Sequence, residues 1–127
     1  MSDLLLDTHV VLWLLDDSPR LGPDARRRIQ HARRVHISAA SAWEVAIKSS
    51  LGKLAVPDDF AEVVSASGLH DLPVTQEHAL RADHAGMPHR DPFDTMLVAQ
   101  ARAERLTLLT ADAKILDAWD DAVDARR

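Results

Sequence analysis

The chain has 127 residues, a hydrophobic fraction of 46% and a formal net charge of −5. That length suits a single domain, residues 1–127, with a real core, and the acidic balance excludes a protein held to nucleic acid by bulk attraction while leaving room for a local basic patch. Cysteine is absent, which removes disulfides, thiolate zinc sites and cysteine nucleophiles together.

The longest apolar run, Val10 to Leu15, falls far short of the roughly 20 residues that span a bilayer. The start of the chain has no basic segment leading into a long apolar one, so no signal peptide is expected. The expectation is a soluble, cytoplasmic protein with no membrane partner.

Leu4-Leu5-Leu6 reads as a buried strand, followed by a helical pattern over about 9–16. Pro23 suits the first turn of an arginine-rich helix over 23–33, and Val35-His36-Ile37 reads as a second strand. Helical patterns over 39–50 and 58–67 lead to a third strand, Leu69 to Val74. Pro73 cannot donate to a ladder, which places that strand at an edge. A helix over 76–85 precedes Asp91-Pro92, an N-cap with proline at the first helical position, which opens a helix over 92–104. Leu106 to Leu109 forms a fourth strand, a helix over 112–119 follows with Thr110 or Asp112 as cap, and a short fifth strand lies near Val123. Strands alternating with helices predict an α/β fold: βαβ units building a mostly parallel sheet of four to five strands, covered on both faces.

Four acids border these apolar segments: Asp7 after the first strand, Glu44 in the helix after the second, Asp94 at the start of the 92–104 helix, and Asp112 after the fourth strand. In open α/β sheets ligands bind outside the carboxyl ends of the strands. If strands one and four are neighbours, Asp7 and Asp112 share that crevice. Carboxylates gathered there repel one another and call for a counter-charge, the simplest being a hard divalent cation held by several oxygens.

Each acid also has a structural explanation. Glu44 stands three residues after Ser41, a capping-box spacing, and four before Lys48, an ion-pair spacing. Asp94 at the third helical position favours the helix dipole. Asp112 can be a helix-start acid, and Asp91 a cap alone. Asp7, closing a run of three leucines, is the hardest to explain as a solvated surface charge.

The seven histidines form no metal-ligand pair: His31, His70, His78 and His84 fall on expected outer positions, and His9 and His89 near the crevice. Trp13, Trp43 and Trp119 are expected to pack the core or an interface. With five aromatics and no tyrosine, a base-stacking platform is not expected. Arg26-Arg27-Arg28 and Arg33-Arg34 read as a solvated helix face or a phosphate contact.

Leu6-Asp7-Thr8-His9, Ser38 with Ser41-Ala42-Trp43-Glu44, the Gly52-Lys53-Leu54 turn, His89-Arg90-Asp91-Pro92-Phe93-Asp94 and Leu109-Thr110-Ala111-Asp112 follow one another in an order that resembles the PIN-domain family, in particular its VapC-type toxin ribonucleases. The most specific piece runs from Asp91 through Met96-Leu97-Val98-Ala99-Gln100-Ala101. The resemblance implies a three-layer α/β/α sandwich and a Mg²⁺- or Mn²⁺-dependent phosphodiesterase acting on RNA. It implies Asp7, Glu44, Asp94 and Asp112 as catalytic and metal-binding residues, with Thr8 and Thr110 as auxiliary hydroxyls. It also implies a cognate antitoxin and a homodimer. One departure is Thr95, where related sequences often carry arginine. Two other readings stand beside this one: a metal-dependent phosphatase, which would want a second acid just after Asp7 and a lysine soon after the fourth strand, and a non-catalytic PIN-fold binding module.

Overall fold

The computed structural model describes residues 3–83, 87 and 91–127. Five strands, β1 (Leu4–Leu6), β2 (Val35–Ser38), β3 (His70–Leu72), β4 (Thr107–Thr110) and β5 (Ala122–Asp124), form a parallel sheet in the order β3-β2-β1-β4-β5. The described helices are α1 (Thr8–Leu15), α2 (Pro23–His31), α3 (Ala39–Ser50), α4 (Phe60–Ala66), α5 (Gln76–Arg81), α6 (Pro92–Glu104) and α7 (Ala113–Ala118). The helix expected over 76–85 ends at Arg81, and residues 84 and 85 lie outside the described residues. β3 stops before Pro73 and takes the edge of the sheet, as the missing donor requires.

The three leucines of β1 show why this sheet is central. Leu5 pairs in register with His36 and Leu108, and Leu6 with Ile37 and Leu109. Side chains alternate across a strand. Leu5 and Leu108 therefore pack with Leu97, Val98 and Ile115 of α6 and α7 on one face. Leu6, Leu109 and Ile37 pack with Val10, Val11 and Ala25 of α1 and α2 on the other. Both faces are covered, which gives three layers. Each fully buried leucine stabilises the fold by about 1.5–3 kcal/mol.

The chain builds β1, β2 and β3 outward in one direction, then returns to lay β4 on the opposite side of β1. The order reverses between β1 and β4, and such a reversal opens a crevice at the carboxyl ends of the two strands. Helix starts are fixed at that end of the sheet. Ser38 caps α3, accepting from the Ala40 N–H at 2.9 Å. This replaces the capping box expected from Ser41 and Glu44, which leaves Glu44 in the second turn, past the reach of any cap. At the other end of α3, Gly52 takes a φ of +72°, and the Lys53 N–H closes on the Lys48 carbonyl at 2.8 Å.

Candidate active site

Asp7 follows β1 and is only 6% exposed. Its Oδ2 accepts a 2.6 Å hydrogen bond from the hydroxyl of Thr110, the last residue of β4. Burial pushes the Asp7 carboxyl above its ordinary range; the Thr110 hydroxyl, His9 and the Thr8 N–H pull the other way, and Glu44 pushes with the burial. Two residues beyond Thr110, Asp112 caps α7, its Oδ1 accepting from the N–H groups of Lys114 at 2.9 Å and Ile115 at 3.3 Å. The Asp112 N–H donates to the Thr110 hydroxyl at 3.1 Å. One threonine thus ties the two strand-end aspartates together.

Glu44 is buried on α3. The Thr8 hydroxyl lies 2.6 Å from its Oε1 and 2.9 Å from the Ser41 hydroxyl. A hydroxyl carries one proton, so Thr8 donates to the carboxylate and Ser41 donates to Thr8. One turn along α3, the Lys48 ammonium donates to the other oxygen of Glu44. This bond raises the Lys48 pKa, burial opposes it, and the negative charges of Glu44, Asp91 and Asp94 add to the rise.

Asp94 opens α6, three residues after the capping Asp91. Its carboxyl pKa is pushed up to about 8 from 3.8, first by burial and then by the charges of Asp7, Asp91, Asp112 and Glu44. Asp94 therefore feels the other three acids singled out in the sequence through space, although the four come from separate elements. Asp91 caps α6, accepting from the Phe93 N–H at 2.9 Å and the Asp94 N–H at 3.2 Å, and adds a fifth negative charge to the group.

The donor set is all oxygen and anionic, which is the chemistry of a hard cation such as Mg²⁺ or Mn²⁺. Among the described residues, no three acidic or histidine side chains already stand around one point as ligands. Glu44 is bonded instead to Lys48 and Thr8. The residues fit such an ion in kind and in mutual repulsion. Asp7, Glu44 and Asp94 would hold it, with Asp112 beside them.

A buried polar chain supports this arrangement from below. The Ser38 hydroxyl donates to Gln100 Oε1 at 2.5 Å, and Gln100 Nε2 donates to the Pro73 carbonyl at 3.3 Å and stands 3.4 Å from His78 Nδ1. The Thr75 N–H donates to the same His78 Nδ1 at 3.1 Å, so the ring proton sits on Nε2, 3.2 Å from Glu104. The chain links the cap of α3, which carries Glu44, to α6, which carries Asp94. His78 is thus 1% exposed, not on an outer position as expected. Besides Thr75, its partners Gln100 and Glu104 lie 22 and 26 residues away, where no local pattern could reveal them. His9 is exposed beside Asp7, His31 and His70 are exposed as expected, and His84 and His89 lie outside the described residues. Thr95 is buried and donates its hydroxyl to the Asp91 carbonyl at 2.9 Å, a position that a long arginine could not occupy unchanged.

A parallel α/β sandwich with acids gathered at its switch point defines a class of α/β proteins with a polar centre at the strand ends. The chain belongs to the PIN domain family, whose family model matches residues 4–119. It is similar to Ribonuclease VapC22 of Mycobacterium tuberculosis, with 29% identity over 122 residues covering 91% of each chain. Solved structures of similar fold include a toxin-antitoxin complex from Klebsiella pneumoniae, with TM-score 0.67 and 17% identity over 96% of this chain and 97% of that one. Another is VapBC2 from Rickettsia felis bound to a DNA fragment from their promoter, with TM-score 0.68 and 13% identity over 95% and 96% of the two chains. At these identities the structural likeness is one of fold. No described helix is long and apolar enough to cross a membrane.

Proposed function

We propose that this chain is a Mg²⁺- or Mn²⁺-dependent endoribonuclease, the toxin of a toxin–antitoxin pair, working in the cytoplasm as a homodimer. The observation that carries the reading is the position of Asp94: its carboxyl is held near pKa 8 partly by Asp7, Asp112 and Glu44, acids from three other elements that a fold without need of a cation would keep apart. The name of the mycobacterial relative and the toxin–antitoxin assembly of the Klebsiella structure support the same reading.

A divalent ion at this site would supply charge stabilisation to the scissile phosphate and a water acidic enough to attack it. The chain's own residues prepare the place. Thr110 fixes the orientation of Asp7, and Thr8, backed by Ser41, fixes Glu44. Asp112 would hold a second ion or accept a proton from water. Lys48 holds a positive charge at the rim, where a phosphate would arrive.

One observation favours the rival reading, a PIN-fold module that binds and does not cleave: Lys48 already neutralises Glu44. A metal experiment separates the two. Purified protein should cleave structured RNA with Mg²⁺ or Mn²⁺, stop in EDTA, and resume when metal is restored. Equal cleavage in EDTA by wild type and by Asp7→Asn would overturn the nuclease reading. Binding of an antitoxin with no cleavage under any metal would favour the module.

A further inference from the structure

Of the large apolar side chains exposed among the described residues, Trp43, Leu51, Val74 and Leu80, Trp43 is the one that immediately precedes a candidate acid, Glu44. It is 63% exposed, so of the two expected places, core or interface, it does not take the core. Its ring meets that of Phe93 at a centroid distance of 5.4 Å and an interplanar angle of 71°. Phe93 in turn immediately precedes Asp94. The same arrangement, a ring one residue before an acid, thus occurs on two elements, and the two rings meet where the start of α6 lies against α3, the junction at which Lys48 feels the charges of Asp91 and Asp94.

The backbones that carry both rings are fixed. The Phe93 N–H donates to Asp91 at 2.9 Å, which fixes its backbone in the first turn of α6. Trp43 stands near the start of α3, whose cap Ser38 is bonded to Gln100 of α6. An edge-to-face pair occupies one face of one ring at most, so Trp43 keeps at least one face open. A large exposed aromatic surface has no value for folding, and the edge contact with Phe93 restrains the indole before any base stacks on it.

We propose that Trp43, braced by Phe93, is a stacking platform for one nucleobase of single-stranded RNA next to the scissile phosphate. The inference rests on the nuclease reading above and deepens it by assigning the contact that holds the substrate. A phosphate held by a divalent cation at the acidic centre would carry its base on the same nucleotide, and the exposed indole on α3 offers that base a flat apolar surface. Stacking on an aromatic ring tolerates any base, because every base offers a π-face. The platform therefore favours an unpaired nucleotide over a paired one, whatever its sequence. The composition argued against such a platform, and the geometry supplies one from two rings.

The test uses the full chain with Mn²⁺ and a short single-stranded RNA that wild type cleaves. Trp43→Ala and Trp43→Leu should raise KM by roughly tenfold to a hundredfold and lower kcat by less, while Trp43→Phe recovers most of the loss. Leucine keeps the apolar surface and removes the stacking face, so it separates a base from a protein side chain. In an Asp94→Asn background, where cleavage is blocked, the same RNA should quench tryptophan emission, and adding Trp43→Phe should remove the quench while the RNA still binds. Unchanged KM in both Trp43→Ala and Trp43→Leu, or a quench that survives Trp43→Phe, would overturn the platform. So would wild-type cleavage by Trp43→Leu accompanied by loss of dimer or of antitoxin binding in sedimentation, which would make this surface a protein interface. Should wild type quench without cleaving, the nuclease reading falls while the platform stands.

Discussion

The amino-terminal ends of α6 and α7 are closed by their own aspartates, whereas that of α1 is not. Asp91 accepts from two N–H groups of α6, and Asp112 from two of α7. Asp7 stands at the equivalent place before α1, yet its side chain makes no such capping bond and turns to Thr110 on β4. A capping side chain is worth about 1 kcal/mol. Asp7 forgoes that stabilisation and remains buried, with its carboxyl pushed up by burial. A carboxylate serving the local backbone needs no further purpose, and one that gives up that service at a cost to the fold points to a ligand. The contrast also ranks the acids: Asp7 is committed to the centre, Asp91 to its helix, and Asp112 is divided between the two.

The sharpest test of that ranking is activity. Asp7→Asn should lose more than about a hundredfold in RNA cleavage, beyond the 10–100-fold usual for the outer partners of a metal site. Asp112→Asn should lose less than Asp7→Asn. Asp91→Asn should lose least, since asparagine caps as well as aspartate. Steady-state rates under saturating Mn²⁺ measure the order. A result in which Asp91→Asn falls furthest would invert the comparison.

Asp94 extends the test to pH. Its carboxyl titrates near 8 in the folded chain, against 3.8 as an ordinary aspartate. Between those values the folded chain holds a proton that the unfolded chain has lost, so stability falls as pH rises through this window. The contribution is fully present below about pH 4 and is gone above the folded pKa. Asp94→Asn removes the titration at nearly constant shape. In EDTA, the melting temperature of the variant should overtake that of wild type progressively from pH 5 to pH 9, and its stabilisation by added Mn²⁺ should shrink. A helix-dipole role alone predicts the opposite sign, a loss of ~0.3–1 kcal/mol of stability with a correspondingly lower melting temperature, and an unchanged response to Mn²⁺.

The smallest expected effect isolates the capping half of Asp112. Asp112→Ala should cost about 1 kcal/mol in denaturant unfolding, and Asp112→Asn nearly nothing, because the amide oxygen can still accept from Lys114 and Ile115. Equal losses in the two variants would show that the charge, and not the cap, stabilises the start of α7.

What the sequence displayed well were features written in neighbouring residues. The leucine run of β1, proline at the start of α6, and the placing of acids just past apolar strands are local signals, and all five strands and all seven described helices stand where those signals put them. The four acids could be picked out because each ends an apolar segment. That they share one crevice depended on β4 lying beside β1, which the sequence offered only as a condition. What it concealed were side chains whose partners come from distant elements. His78 looked like an outer position because its helix pattern is polar, and it is buried against Gln100 and Glu104 of α6. Ser41 looked like a cap because a glutamate follows three residues later, but α3 starts earlier, at Ser38, and Ser41 serves Thr8 instead. Trp43 was legible only as core or interface, and its exposure follows from the side of α3 on which it falls.

The bond between Thr110 and Asp7 joins residues 103 positions apart. During synthesis, β1 emerges first but becomes the middle of the sheet, and one of its two edges stays open until β4 has been made. Contacts of such long sequence separation form late, after the cost of closing the loop has been met. A nascent chain can therefore assemble β1, β2 and β3 while Asp7 still lacks the hydroxyl that aims it and Asp94 and Asp112 are yet to be translated. The acidic centre comes into being only with the last fifth of the chain, so a truncated or half-made product carries no working copy of it.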